Sequence, residues 1–88
     1  NGPQVFMFNT PNPFTTSTTF KYHVRESGNV SIHLYHQDGS LVRQLMNTNQ
    51  GSGNFEFNAQ FADLIPGTYY ATISFKGQIL QTIKLNKI

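Results

Sequence analysis

The chain has 88 residues, enough for one domain with a single hydrophobic core and a modest free energy of unfolding. It has no cysteine, which excludes disulfides and thiolate metal sites, and no apolar run near the roughly 18 residues of a membrane-spanning helix. Charged residues make up 11% of it, and the six lysines and arginines behind its net charge of +2 are scattered, which argues against nucleic-acid binding.

A rigid corner is predicted near the start, at Pro11-Asn12-Pro13-Phe14. The two prolines lack backbone donors and have a fixed φ, so a strand ladder cannot run through them. Val5–Phe8 before the corner and Thr18–Tyr22 after it are both typical of strands. We therefore expect the chain to turn sharply here between two strands, with the Phe14 ring available to enter the core.

Alternating apolar and polar residues predict the next strands, over residues 19–25 and 30–35. The turn at residues 26–29 would join these two as a hairpin. Asp38-Gly39 is a strong hairpin-turn signal that leads into a strand over Leu41–Met46. In that strand Val42 and Leu45 are three residues apart, which indicates a bulge or an edge position.

The second half of the chain begins with a polar, glycine-containing stretch, Asn47–Asn54, for which we expect a loop. A strand through Phe55 and Phe57 follows, and residues 59–64 are expected to make one helical turn. A regular strand runs from Tyr69 to Phe75, and a last strand extends from Gln78 to about Leu85. In this last strand we expect Ile79, Ile83 and Leu85 to share one face.

These seven to eight short strands, separated by turn signals, predict a single all-β domain: an immunoglobulin-like antiparallel β-sandwich over residues 1–88. Leu64 to Tyr69 also resembles the tyrosine corner of such folds, in which a tyrosine hydroxyl binds upstream backbone.

Nothing in the sequence predicts catalysis, and we expect neither enzymatic activity nor a cofactor. The four acidic residues are isolated, and no Gly-x-Ser-x-Gly or glycine-rich phosphate-binding loop occurs. His23 and His33 would come within reach of each other if their strands paired as a hairpin, with His36 nearby, so a histidine metal site is one interpretation. Solvated surface imidazoles are the simpler interpretation, and the one that we favour.

Three features line up along the chain: Pro11-Asn12-Pro13, then Gly67-Thr68-Tyr69, then a last strand with Lys84 and Lys87. A middle turn, Tyr35-His36-Gln37-Asp38-Gly39, lies between the first two. This order and spacing resemble the type A C-terminal sorting domain of type IX secretion system cargo proteins of Bacteroidetes, over about residues 5–88.

The resemblance implies that the chain is the non-catalytic tail of a larger cargo protein. Such a tail crosses the inner membrane, folds in the periplasm and is recognised by the outer-membrane translocon, so that the cargo reaches the cell surface or the medium. In many members a sortase removes the domain and attaches the cargo to a surface glycolipid. The implied partners are thus translocon and sortase components and the fused upstream cargo, with neither nucleic acid binding nor membrane insertion.

Through the same resemblance, the sorting-motif residues are Pro11, Asn12, Pro13, Gly39, Gly67, Tyr69, Lys84 and Lys87. The prolines and Gly67 would set backbone geometry, and Tyr69 would belong to the core. Lys84 and Lys87 are the candidates for contact with the machinery, because the fold alone does not require them. We also expect the terminal strand to lie at a sheet edge, where a receptor would bind it by β-augmentation.

The competing interpretation is an immunoglobulin-like accessory module that serves as a spacer, an adhesin or a carbohydrate-binding unit. The domain of flagellar hook-capping proteins shares the Asn-Pro-Phe and Gly-x-Tyr pattern, so a scaffold role stays open. Tyr35 and Tyr70, on the faces predicted to be polar, are candidate side chains for stacking on a sugar ring.

Overall fold

The computed structural model describes residues 5–88 and contains seven β-strands in that range. They are β1 Val5–Thr10, β2 Ser17–Val24, β3 Gly28–His36, β4 Leu41–Gln50, β5 Gly53–Gln60, β6 Gly67–Phe75 and β7 Gln78–Lys87. A three-stranded sheet has the order β1-β2-β5 and a four-stranded sheet the order β4-β3-β6-β7, with every neighbouring pair antiparallel. The predicted immunoglobulin-like β-sandwich is confirmed.

The core lies between the two sheets, because alternate residues of each strand are apolar and face inward. Phe20 and Val24 on β2 and Leu34 on β3 are fully buried. Phe14 closes the core from the proline corner, with its ring centroid 5.7 Å from that of Phe61, and this confirms its predicted role. Among residues 5–88, none forms a helix that is long and apolar enough to cross a membrane.

Strand β4 is both an edge strand and a bulged one, as its irregular pattern predicted. It lies at the end of the four-stranded sheet, and its register against β3 skips Val42 and Leu45. Each skipped residue has no partner directly opposite it on β3. The extra residues twist the strand and interrupt its outer edge.

The loop expected over Asn47–Asn54 is wrong. Strand β4 continues to Gln50 and β5 begins at Gly53, so that only residues 51–52 connect the strands. The polar residues follow the exposed side of an edge strand, where Asn29 Nδ2 donates to Asn47 Oδ1 at 3.0 Å and to Asn49 Oδ1 at 3.3 Å. Polar residues whose side-chain amides hydrogen-bond across neighbouring strands have the same composition as a loop, so composition alone did not identify the strands.

The helical turn expected over residues 59–64 is also wrong. Ala59 and Gln60 complete β5, and a turn follows in which the Leu64 amide donates to the Phe61 carbonyl at 3.1 Å. Burial decides between the two conformations. Ala59 pairs with Thr18 on β2 and is buried there, which keeps the chain extended up to the buried Phe61 ring.

The expected β2–β3 hairpin does not form, because the two strands lie in different sheets. Residues 25–27 carry the chain across the sandwich, so that β2 pairs with β1 and β5 while β3 pairs with β4 and β6. Both strands bury one apolar face against the same core, and alternation alone does not distinguish this arrangement from a hairpin.

The last strand has a bulge that the alternation did not predict. In the β6–β7 ladder the register moves from Ile73 opposite Gln81 to Ser74 opposite Ile79, which leaves Leu80 without a partner. Ile79 therefore lies on the outer face and is 57% exposed, whereas Leu85 is fully buried. The expectation that Ile79 shares the face of Ile83 and Leu85 is wrong.

Candidate functional site at one end of the sandwich

The predicted motif segments meet at one end of the sandwich, although they are far apart in sequence. Gly67 is directly opposite Lys87 in the β6–β7 ladder. Asp38 and Ser40, which flank Gly39, line a shallow depression together with Gly67. The proline corner reaches the same end, where its Phe14 forms a parallel bridge with Lys87.

Asn12 binds the outer edge of the last strand with its side-chain amide. Its Nδ2 donates to the Lys84 carbonyl at 2.9 Å, and its Oδ1 accepts from the Asn86 amide at 3.0 Å. A residue of a neighbouring strand would present the same donor and acceptor. Asn12 therefore substitutes for a strand partner on an edge whose backbone groups face outward.

Phe14 continues this pairing with its backbone. Its amide donates to the Asn86 carbonyl at 3.0 Å, and its carbonyl accepts from the Ile88 amide at 2.8 Å. Together with the Asn12 side chain, these bonds occupy the C-terminal part of the β7 edge. Residues 12–14 thus lie along β7, and Phe14 forms an isolated parallel bridge with Lys87.

Side chains of the flanking strands hold the Pro11 end of the corner in place. Thr18, which is fully buried, donates its hydroxyl to the Pro11 carbonyl at 2.9 Å. The same hydroxyl accepts from Asn9 Nδ2 at 3.1 Å. Pro11 and Pro13 are both preceded by cis peptide bonds, and both lie on the surface.

The predicted tyrosine corner is confirmed. Tyr69 is 2% exposed, and its hydroxyl donates to the Ile65 carbonyl at 2.6 Å. Gly67 has a φ of 153°, a conformation that side-chain-bearing residues rarely adopt. Apart from the glycine and its two chain neighbours, no atom of residues 5–88 lies within 4 Å of the place where a Cβ would stand, so the requirement for glycine here comes from the backbone.

The Asp38 side chain stabilises the turn that contains Gly39. The Asp38 carboxylate accepts from the Ser40 amide at 3.0 Å and from its hydroxyl at 2.7 Å, and these bonds lower the pKa of Asp38. Gly39 has a φ of 94°, as the second residue of the Asp-Gly signal requires. The His36 ring, 5.8 Å from the Tyr69 ring, links this turn to the tyrosine corner.

The two candidate lysines differ in their surroundings. The Lys84 side chain is exposed, while its carbonyl is held by Asn12. Lys87 is half-buried and close enough to Asp63 to help lower the pKa of that carboxyl, for which the hydrogen bond from Arg43 is the main cause. Of the two side chains, that of Lys84 is the more accessible to a partner.

Sequence reasoning missed an exposed aromatic pair on the three-stranded sheet. Phe6 and Phe8 on β1 are 51% and 47% exposed, with ring centroids 6.2 Å apart. They border a shallow groove of about 340 Å³ next to the hydrogen-bonded pair of His23 and Asn54. In Val5-Phe6-Met7-Phe8 both alternating sets are apolar, so no pattern in the sequence identifies the outward pair.

The histidine metal site is not supported. His23 and His33 lie on strands of different sheets, because the hairpin that would have brought them together does not form. Within residues 5–88, no group of three or more metal-binding side chains comes together. Tyr35 and Tyr70 are direct partners in the β3–β6 ladder and are half-buried on its outer face.

A family model described as a secretion system C-terminal sorting domain matches residues 10–86, which include every predicted motif residue except Lys87. No curated protein matches the chain. The match agrees with the order of the motif segments and with the all-β sandwich that brings them to one end. The chain therefore belongs to the family of type IX secretion C-terminal sorting domains.

Proposed function

We propose that residues 1–88 act as one sorting unit that directs a larger, upstream cargo protein through the type IX translocon of the outer membrane. In this proposal the tail folds in the periplasm during transit, and the cargo reaches the cell surface or the medium. Family membership supports the role of a sorting signal on a cargo tail, and domains of this family are generally non-catalytic.

One structural observation supports this function best: the proline corner and the last strand form a single hydrogen-bonded surface. The side-chain amide of Asn12 and the backbone of Phe14 form the hydrogen bonds of this surface, and we assign to Pro11 and Pro13 the path of the chain that places them there. The ammonium group of Lys84, together with that of Lys87, provides its positive charge. We assign to these two lysines the contact with the translocon, and to Gly39, Gly67 and Tyr69 the geometry that supports it.

A reporter fusion tests the function. The 88-residue chain is placed behind a signal peptide and a reporter in a host with a type IX system, and reporter is measured in the medium, on the cell surface and in the periplasm. The intact domain should move the reporter out of the periplasm, and retention there would contradict the sorting function.

Charge variants of the same fusion test the lysines. Lys84→Gln with Lys87→Gln should leave folding intact and cause the reporter to accumulate in the periplasm. Lys21→Gln with Lys76→Gln removes the same charge from exposed positions elsewhere and serves as the matched control. If both pairs are exported equally, the two lysines of the last strand are not the contact residues.

Sortase removal of the domain is part of the proposal. The cargo would then be released upstream of β1 and attached to a surface glycolipid. Mass spectrometry of the exported reporter checks this step, since a reporter that keeps the whole domain would exclude cleavage.

A second candidate, an accessory module that binds carbohydrate, is favoured by the exposed Phe6 and Phe8 rings next to polar His23 and Asn54. Such a surface offers stacking and hydrogen bonding together. Glycan-array binding that disappears in the variant Phe6→Ala with Phe8→Ala would support this role, and the absence of glycan binding by the intact chain would reject it.

A further inference from the structure

We propose that the open part of the β7 edge, residues 78–83, binds an extended strand of the export machinery by β-augmentation. This inference rests on the proposed sorting function and adds to it which part of the domain is bound, and how. The partner strand would carry an acidic side chain opposite Lys84 and apolar side chains against Ile79 and Leu80.

The argument begins with the direction of the main-chain groups. Asn86 points both its amide and its carbonyl outward, because Asn12 and Phe14 bind them from outside the sheet. Backbone groups alternate in direction along a strand, and the register from Thr82 to Asn86 has no shift. The amide and carbonyl of Thr82 therefore point outward too. Within the described residues, no hydrogen bond to another segment engages them.

The side chains around this open stretch suit a protein strand. Ile79 is 57% exposed and Leu80 37% exposed, so apolar surface borders the free backbone groups. Lys84 marks the other end of the stretch with an exposed positive charge. Unpaired backbone, apolar contact and a single charge are the elements by which strand addition gains affinity and specificity.

The same edge already accepts an extended segment. Asn12 and Phe14 of the proline corner bind the backbone of Lys84 and Asn86 on β7 and of Ile88 just beyond it, and Phe14 forms a parallel bridge with Lys87. A partner strand at residues 78–83 would continue this pairing end to end. The corner thereby limits the partner strand to the N-terminal part of the β7 edge and fixes where the partner strand begins.

The other edges are less suited to strand addition. Two bulges, at Val42 and Leu45, interrupt β4. On β1, the Gln81 side chain already binds the Met7 amide at 2.7 Å and the Met7 carbonyl at 2.8 Å. The β5 edge is regular, but its outer side presents the acid Glu56 in place of an apolar side chain.

A proline at Thr82 tests the inference in the reporter fusion. Proline removes the outward amide, and it is tolerated at an edge position where that amide makes no ladder bond. Thr82→Pro should reduce export about tenfold, the factor expected for loss of one main-chain hydrogen bond to the partner. Thr82→Ala keeps the amide and should be exported like the unmodified chain.

Glu56→Pro is the second control. Met7 points its backbone groups away from β2, and alternation through the β1-β2-β5 registers then directs the Glu56 amide outward on the β5 edge. This variant puts an equal backbone change on a different edge and should retain export.

Thermal unfolding of each purified variant shows whether it folds. If Thr82→Pro lowers the unfolding temperature more than Glu56→Pro does, Ile79→Lys decides instead, with Ile79→Thr as its control. Lysine on the exposed face leaves the backbone unchanged but opposes strand addition. Export of the deciding variant at the level of its control would overturn the edge model. Export of the unmodified fusion would still stand as support for the sorting function.

Discussion

Asn12 shows how one side chain can replace a strand. Its amide group binds the carbonyl of Lys84 and the amide of Asn86, as a peptide group of a neighbouring strand would. Aspartate at this position would keep the acceptor and lose the donor, and a hydrophobic residue would lose both. The need for asparagine between the two prolines therefore has a physical cause in the last strand.

We predict that Asn12→Ala lowers the free energy of unfolding by about 1–2 kcal/mol, because it removes two hydrogen bonds that water replaces only in part at this exposed site. Urea denaturation followed by circular dichroism measures the change. Asn54→Ala, which removes one exposed bond to His23, is the matched control and should cost less than about 0.5 kcal/mol. If the two variants lose the same free energy of unfolding, the Asn12 bonds stabilise the fold no more than an ordinary exposed hydrogen bond does.

A second residue-scale prediction concerns the pKa of Asp38, which the Ser40 amide and hydroxyl hold below the ordinary aspartate value of about 3.9. Because the pKa is lower in the folded chain, the resulting stabilisation is complete above the unfolded value and is lost as the pH falls through the folded one. Ser40→Ala keeps the amide bond and removes the hydroxyl bond. Ser40→Ala should therefore raise the pKa of Asp38 part of the way toward the ordinary aspartate value.

NMR titration of the Asp38 carboxyl carbon between pH 5 and about 2 measures this pKa directly. Ser52→Ala, in the turn between β4 and β5, is the control and should leave the titration of Asp38 unchanged. If Ser40→Ala also leaves it unchanged, the hydroxyl bond does not act on the carboxyl.

At the scale of elements, the last strand has two unlike halves along one edge. Asn12 and Phe14 cover the C-terminal half, and the N-terminal half has open backbone groups, a bulge at Leu80 and exposed apolar side chains. A short paired stretch followed by a bulge is a common way to protect an edge from unselective pairing. The open half is then short enough to favour a specific partner over aggregation.

Amide hydrogen exchange should distinguish these halves. The amides of Asn86 and Ile88 are hydrogen-bonded to the corner and should exchange at least about tenfold more slowly than the amide of Thr82, which faces solvent. NMR-detected exchange resolves the three signals. In Asn12→Ala, protection should fall at Asn86. Equal protection of Thr82 and Asn86 in the unmodified chain would contradict the proposed edge geometry.

Much of the element pattern followed from the sequence, and the failures have physical reasons. Turn chemistry predicted the Asp38-Gly39 turn, and the irregular spacing of Val42 and Leu45 predicted the bulged β4, because both signals are local. Which strands pair is not local, and the step from β2 to β3 crosses between sheets where a hairpin was expected. The exposure of Phe6 could not be predicted either, because the sequence does not show which face of β1 packs against the second sheet.

The candidate site was predictable in its members but not in its contacts. Proline and glycine spacing located the corner and the Gly67 turn, and the resemblance added the lysines. Nothing in the sequence says that Asn12 binds the backbone of residues 84 and 86, because this bond joins segments 72 to 74 positions apart. Side-chain amides that bind remote backbone leave no periodic signal.

On the scale of the whole molecule, β7 is needed both for the fold and for the proposed recognition. It contributes the fully buried Leu85 and the ladder on one side of β6, and it seats the corner that carries Phe14 into the core. Deleting residues 78–88 would therefore disturb folding and recognition at once. Point variants on the outer edge and the exposed face of β7 test recognition separately from folding.

We predict that a chain lacking residues 78–88 loses cooperative unfolding, because β6 loses a strand partner and the Phe14 corner loses its support. Near-ultraviolet circular dichroism during heating detects this loss. The Lys84→Gln, Lys87→Gln variant should unfold cooperatively, within about 1 kcal/mol of the unmodified chain, since it shortens no apolar core side chain and leaves the backbone unchanged. A truncated chain with a native, cooperative transition would show that β7 is dispensable for folding.

The bond between Asn12 and the Asn86 amide joins residues 74 positions apart, so it has a consequence for the order in which the chain is made. Within the domain, the ribosome synthesises the corner before the strand that it binds. A chain whose synthesis terminates between the two has the corner but lacks the strand to which the corner hydrogen-bonds. Closure of this contact therefore reports that synthesis has run to the end of the domain, and a receptor that requires the closed form would reject unfinished copies.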